Sequence, residues 1–246
     1  THKKIDQFTV GNDRDLDLFL APYDIKASIA HAKMLGKVGL ISAGEANSLE
    51  EALIQIGSEV STGTFKIETN FEDVHSKIEF LLTEKLGNPG KKIHTARSRN
   101  DQVLVAMQLF LKDAILDIKT STKSLFDLLL QLAETHKNKI LPGYTHLQVA
   151  MPSSFGLWFS SYAESLIDDV YFLEAAFRVC DQNPLGSAAG FGSSFPIDRQ
   201  MTTEEMGFST LKYNVIAAQM GRGKTEKATA FGMSAIATTV GKMAMD

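Results

Sequence analysis

Residues 100–136 read NDQVLVAMQLFLKDAILDIKTSTKSLFDLLLQLAETH, a stretch with no glycine and no proline. Leu104, Met107, Leu111, Ile115 and Ile118 recur at steps of 3, 4, 4 and 3, and Leu125, Leu128, Leu129 and Leu132 continue the stripe. That spacing puts apolar side chains on one face of an α-helix. A helix of roughly 36 residues is about 54 Å long at 1.5 Å per residue. Pro142-Gly143 ends it. A second long helix is predicted to begin after Pro152, capped by Ser153 or Ser154, and to run to about Asp181 through Trp158, Phe159, Tyr162, Leu166, Val170 and Leu173. Helices this long pack in bundles or coiled coils. These stripes are broad and not strictly heptad, so a bundle is expected.

Upstream, residues 10–36 read as helix interrupted at Pro22, with Ile25, Ile29, Ala32 and Leu35 near helical period. Ser42 with Glu45, and Ser48 with Glu51, each have capping-box spacing. Asn70 is expected to cap a helix bearing Val74, Ile78, Leu81 and Leu82, which Gly87-Asn-Pro-Gly90 breaks. Downstream lie a Gly/Ser-rich loop at 186–194 and a last helix from about Met220. Thr210 to Ala217 is the one serious strand candidate. The expected fold is all-α, with a small helical domain over 1–96 and the first part of a long-helix bundle over 97–246. Helical pattern still running at Asp246, and a start without Met, make a fragment of a longer protein the expectation.

Composition narrows the function. Hydrophobic residues make up 44% and charged residues 22%, as in a folded globular chain. Lys and Arg number 25 against 29 Asp and Glu, a net charge of −4, which argues against a nucleic-acid partner held by a basic field. No uncharged apolar run reaches about 18 residues, so no membrane span is expected. Thr1 to Asp6 contain no apolar signal core. The single Cys180 excludes an intrachain disulfide and makes a reducing, cytoplasmic setting the default.

Several segments carry chemistry. Thr95-Ala-Arg-Ser-Arg-Asn-Asp101 opens the long helix, where free N–H groups and the dipole favour an anion. Arg97 and Arg99 add forked cations suited to a carboxylate, and Ser98 and Asn100 add neutral donors. The alternative is a plain cap, with Ser98 or Asn100 as the capping residue. Gly143-Tyr-Thr-His-Leu-Gln148 places His146, a proton-transfer candidate, between the two long helices with Thr145 and Gln148 beside it. The alternative is a turn in which His146 caps a helix end. His75 and Glu72 have i,i+3 spacing, but no second pair completes a metal site, and no metal is expected. Gly221-Arg-Gly-Lys-Thr225 falls short of a phosphate loop because Ala218 stands where that motif requires glycine.

Taken together, Asp24-Ile-Lys-Ala-Ser28 with Ala30-His31, Glu72-Asp-Val-His-Ser76, His94-Thr-Ala-Arg-Ser-Arg-Asn-Asp-Gln102, Gly143-Tyr-Thr-His-Leu-Gln148, and Pro184-Leu-Gly-Ser with Phe195-Pro-Ile-Asp-Arg199 resemble the argininosuccinate lyases of the fumarase/aspartase superfamily. The resemblance implies cofactor-free β-elimination of argininosuccinate to arginine and fumarate, as in arginine biosynthesis. It implies that His146 is catalytic and that Ser28, Ser98, Arg99, Asn100 and Thr145 bind substrate. His75 is implied to lie near the site, with Arg97 in support. The family's mobile Gly-Ser-Ser-x-Met-Pro-x-Lys-x-Asn loop, which bears a catalytic serine, is not among residues 1–246, so the chain alone is expected to be inactive. Asn214-Val-Ile-Ala-Ala-Gln-Met-Gly-Arg222 also departs from the family pattern while keeping Asn214 and Arg222. The alternatives are a non-enzymatic, crystallin-like relative and an adenylosuccinate-type lyase.

A helix of about 54 Å also sets an assembly expectation. Asn100 begins it and Thr145 and His146 follow its far end, so one subunit cannot present both to one small substrate. Sites shared between subunits are expected, and the resemblance implies a homotetramer.

Overall fold

The computed structural model describes residues 3–246, leaving Thr1 and His2 of the Thr1–Asp6 segment outside the described residues. In chain order the helices are α1 (Lys3–Thr9), α2 (Asp13–Leu16), α3 (Ala21–Lys37), α4 (Ala43–Ser61), α5 (Val74–Leu86), α6 (Asn88–Lys91), α7 (Arg99–His136), α8 (Phe155–Cys180), α9 (Arg199–Met206), α10 (Val215–Met220) and α11 (Lys224–Met245). The strands are β1 (Ile140–Thr145), β2 (Gln148–Ser154), β3 (Gln182–Asn183) and β4 (Thr210–Leu211). Among the described residues β1 pairs with β2 antiparallel and β3 with β4 parallel, so the architecture is essentially all-α. No helix among them is long and apolar enough to cross a membrane.

The structure forms two compact units. One gathers the chain up to Phe110 with Asp181–Arg222; the other holds Leu111–Cys180 and Gly223–Asp246.

In the first unit α3, α4 and α5 close a core around Leu35, Leu49, Leu53, Ile78, Leu82 and Ile93. Full burial of each such side chain stabilises by about 1.5–3 kcal/mol. Ser42 caps α4 as the sequence predicts: its Oγ accepts from the Glu45 N–H at 3.2 Å, and Glu45 Oε2 accepts from the Ser42 N–H at 3.0 Å. The second expected capping box does not form. Ser48 lies inside α4 and its hydroxyl donates back to the Gly44 carbonyl, because the first cap has already started the helix. Asn70 is likewise not the cap of α5; Asp73 is, accepting from the Ser76 N–H at 2.8 Å. A second cluster joins α3, the start of α7 and the 181–222 segment through Ala27, Ala30, Val105, Leu109, Leu185, Met206 and Phe208. That cluster fixes the platform on which residues 97–102 sit.

In the second unit α8 packs along α11, with Leu129, Ala163 and Leu166 buried against Phe159, Ile236 and Met243. Ser154 caps α8, accepting from the Leu157 N–H at 3.1 Å. Cys180 is buried. A cavity of about 580 Å³ in this unit runs between α7 and α8 and is walled by Leu116, Phe126, Ile167, Val170 and Tyr171. It is apolar, and its charged groups are Lys119, Lys123 and Glu174.

The strand expectation needs correction. Of Thr210 to Ala217, only Thr210–Leu211 is strand, and α10 starts at Val215 behind an Asn214 cap. Residues 140–154, read as a break followed by a helix start, form a hairpin instead. Ile140, Tyr144, Thr145 and Val149 favour extended backbone. Gly143 sits where the register shifts, and a Cβ there would lie 2.9 Å from the Met151 carbonyl oxygen.

Candidate active site

Ser98 caps α7. Its Oγ accepts from the Asn100 N–H at 3.3 Å, while its own N–H donates to Asp101 Oδ1 at 2.9 Å. Two donors that the first turn of a helix leaves orphaned are thereby satisfied. The other oxygen, Asp101 Oδ2, accepts from the N–H groups of Gly186 at 3.0 Å and Ala188 at 2.8 Å. The Gly/Ser-rich loop is thus tied to the start of α7 by one fully buried carboxylate. Gly186 and Ala188 hold φ of 85° and 51°. At Gly186 a side chain is also excluded, since its Cβ would lie 2.7 Å from Arg199 Cγ. Gln219 holds the loop's far side, donating to Ser187 Oγ at 2.7 Å and to the Ala188 carbonyl at 2.9 Å. Between them opens a cleft of about 360 Å³ lined by Asn100, Gly190, Phe191, Ile216, Met220 and Arg222.

Behind this cap lies a buried polar layer. Asp24 is fully buried, and its Oδ1 accepts from Gln102 Nε2 at 2.8 Å. His75 Nδ1 is 3.0 Å from the same oxygen, close enough for an ion pair but not aligned as a hydrogen bond. Burial drives the Asp24 carboxyl upward, but His75, Arg97 and Gln102 outweigh it and hold it below its ordinary value. Burial would lower His75, yet the Asp24 carboxylate prevails and its pKa is raised. Arg97, buried beside them, donates from Nη1 to Ser28 Oγ at 2.9 Å. Arg99 pairs with Asp73 and donates to Ser76 Oγ at 2.9 Å, so α5 and α7 share one ion pair.

His31 completes the layer. Its Nε2–H donates to the Thr95 carbonyl at 2.9 Å. Burial, with the Arg97 guanidinium nearby, pushes its pKa down from 6.5 to about 3. The folded state therefore keeps His31 neutral where the unfolded chain would protonate it. Stability carried by this group is intact above 6.5 and is lost as the pH falls toward about 3. His75 acts oppositely: its contribution is complete below 6.5 and disappears as the pH rises through its raised folded value. We expect the urea midpoint to fall as the pH drops from 6.5 toward about 5, and His31→Gln to flatten that limb. An unchanged slope in His31→Gln would contradict the assignment.

Thr145 and His146 stand elsewhere, at the tip of the β1–β2 hairpin in the other unit. His146 and Leu147 form its two-residue turn with φ of 52° and 61°, and both are exposed. His146 caps no helix. A two-residue turn with both φ positive is favoured by the twist of a hairpin, but it normally uses Asn-Gly or Asp-Gly. A leucine held there, 99% exposed, gains nothing from packing.

The structure therefore brings Ser28, His75, Ser98, Arg99 and Asn100 into one unit by way of Arg97, Asp24 and Asp73. Ser28 and His75 are buried within it, Ser98 and Arg99 are half-buried, and Asn100 is exposed on the cleft. Asp24 and Asp101 join this site although the sequence assigned them no role, and Arg222, kept from the family pattern, lines its cleft. Asp101 had a readable signal, since it stands three residues after Ser98 at capping-box spacing. No group of three or more His, Cys, Asp or Glu side chains is placed to hold a metal among the described residues.

Known proteins resemble this chain along nearly its whole length. It matches the Lyase family over residues 5–246. It is 54% identical over 245 residues to an argininosuccinate lyase of Phocaeicola vulgatus, which covers 100% of this chain and 55% of that relative. An argininosuccinate lyase of Xylella fastidiosa is 42% identical over 242 residues, covering 98% of this chain and 54% of the relative. A crystal structure of EDDS lyase in complex with formate matches with a TM-score of 0.84 at 23% identity, over 98% of this chain and 48% of that one. This last likeness is one of fold. The chain spans about half the length of the curated relatives it matches.

Proposed function

Because this chain belongs to the lyase family, we propose that its chemistry is that of an argininosuccinate lyase, yielding arginine and fumarate without a cofactor. The elimination removes a proton from the carbon beside one carboxylate, and the electron pair spreads into that carboxylate. The carbon–nitrogen bond then breaks, the double bond of fumarate forms, and the guanidino nitrogen leaves with a proton as arginine. Fixed donors aimed at the developing charge lower the barrier. Ser98 and Asn100, at the N-terminus of a long helix, are suited to grip a carboxylate. Arg99 is drawn to Asp73, so its role is to hold α5 against that helix start. Ser28 and His75 support the site from within, through Arg97 and Asp24. Thr145 orients substrate and His146 moves a proton. In this reading residues 1–96 are the N-terminal domain and 97–246 begin the long-helix domain, a division by function rather than by compactness.

The observation that carries this reading is the cap on α7. Ser98 is held in a fixed geometry by a buried carboxylate, its hydroxyl holds the Asn100 N–H, and Asn100 lines a cleft. The test is fumarate release from argininosuccinate, followed by the ultraviolet absorbance of the product, with arginine measured in parallel. The natural protein carrying these residues should form both products in equal amounts, and residues 1–246 alone should form none. A natural protein that assembles yet forms neither would be a structural relative built on the same scaffold.

Shared sites are part of the proposal. Asn100 and His136 lie 36 residues apart in one continuous helix, about 54 Å at 1.5 Å per residue. The ten residues from His136 to His146 can retrace at most about 36 Å. The difference, about 18 Å, exceeds the reach of a side chain across one small substrate, so Asn100 and His146 of one site come from different copies. Leu128 and Leu130 on α7, Tyr171 and Phe172 on α8 and Phe231 on α11 are exposed and supply apolar surface for association, which we assign to a homotetramer. Cys180 is the single cysteine of residues 1–246 and is buried, so these residues hold no intrachain disulfide, which suits a reducing compartment, and we place the protein in the cytoplasm.

A further inference from the structure

We infer that Asp101 is the positioning residue of the cleft: its carboxylate clamps the Ser98–Asn100 end of α7 to the Gly186–Ala188 loop and so sets the width of the substrate-binding groove. The inference rests on the proposed substrate-binding role of Ser98 and Asn100. Asp101 itself is fully buried and cannot touch substrate from its place.

Three backbone donors converge on this one side chain. Oδ1 takes the Ser98 N–H, and Oδ2 takes those of Gly186 and Ala188, at 2.8–3.0 Å. The donors come from chain segments more than eighty residues apart, which no local turn could hold together. The loop has few other ties on this side. It follows a left-handed path at Gly186, Ala188 and Gly192, a conformation that persists only where neighbours enforce it. Arg199 braces the loop's entry by donating from Nε to the Leu185 carbonyl at 2.9 Å, and Gln219 braces its far side. Asp101 connects the loop directly to Ser98, the first of the residues proposed to grip substrate. The cleft wall at Gly190 and Phe191 continues directly from the clamped amides, and Asn100 faces it.

The side chain's chemistry fits this task. A carboxylate offers only acceptors, so it can satisfy all three N–H groups at once. An asparagine of the same shape cannot. Its oxygen serves either Ser98 or the loop, and its NH₂ then faces an N–H on the other side. One wall is released whichever way the amide turns.

The test is Asp101→Asn in the natural protein, read by steady-state kinetics with argininosuccinate and by amide hydrogen exchange. We expect KM to rise roughly ten- to hundredfold, as for a lost charge-assisted hydrogen bond, with kcat changed less than about threefold and assembly unaltered. The amides of Gly186 and Ala188, or of Ser98, should lose protection while those in the middle of α4 keep theirs. A KM like that of the parent, or a loss of activity that only tracks a lower melting temperature, would overturn the inference. Should Asp101→Asn not fold, Asp101→Ser keeps an acceptor on the α7 side and takes its place; failure of both to fold marks the residue as structural and overturns the inference as well. If the parent cleaves no argininosuccinate, it is the proposed function that fails. The exchange measurement then decides the clamp, and unchanged protection at all three amides refutes it.

Discussion

Replacing His146 by asparagine should lower kcat for argininosuccinate by about a hundred- to ten-thousandfold, the range for losing a positioned proton-transfer group. The thermal midpoint should hardly move. His146 lies exposed in a two-residue turn with φ of 52°, and no buried cluster includes it. Asparagine tolerates that backbone conformation better than most residues, so the turn and the β1–β2 register survive. What disappears is an imidazole ring able to accept and return a proton. A strained, exposed turn that places a histidine at its tip has no packing reason to exist, and the proposed reaction gives it one. Loss of activity smaller than about tenfold, in a variant that folds and assembles, would remove His146 from the proton path.

The second large effect is on stability. Asp24→Ala should destabilise the first unit by about 3–5 kcal/mol, as expected when one partner of a buried charge cluster is removed. Asp24 is fully buried and serves His75, Gln102 and Arg97 together. Alanine would leave Arg97 a buried cation with Ser28 as its hydrogen-bond partner, and would leave Gln102 without its acceptor. Burial would then drive His75 toward its neutral form, undoing the upward displacement that Asp24 maintains. Asp24→Asn should lose less, because it keeps an acceptor for Gln102. Chemical denaturation of the parent and both variants measures this directly. A difference below about 1 kcal/mol for Asp24→Ala would mean that the layer is solvated and that its charges are not interdependent.

These two residues also mark what the sequence could and could not convey. α7 was legible because 37 residues without a helix breaker and with a broad apolar stripe admit little else, and it spans Arg99–His136. The Ser42 cap was legible because both of its partners lie within three residues. The hairpin was not. Its turn is His146-Leu147 rather than the glycine-bearing pair that normally signals one, and Pro142 and Pro152 face each other across it, suggesting breaks instead of strands. The buried layer was hidden for a different reason. Arg97 meets Ser28 across 69 positions, and Gln102 meets Asp24 across 78, so no local spacing could pair them. The motifs pointed to a site but not to which of its members reach a ligand. Ser28 and His75 lie inside the protein, whereas Asn100 stands on the cleft.

The central claim is that one active site needs Asn100 from one copy and His146 from another. Asn100→Ala and His146→Asn versions of the natural protein, each inactive alone, are to be dissociated in mild denaturant, mixed in equal amounts and reassembled. Sites that take both wild-type residues from two different mutant chains should then return a measurable fraction of parental fumarate formation. Co-assembled mixtures that stay as inactive as either parent would contradict the claim.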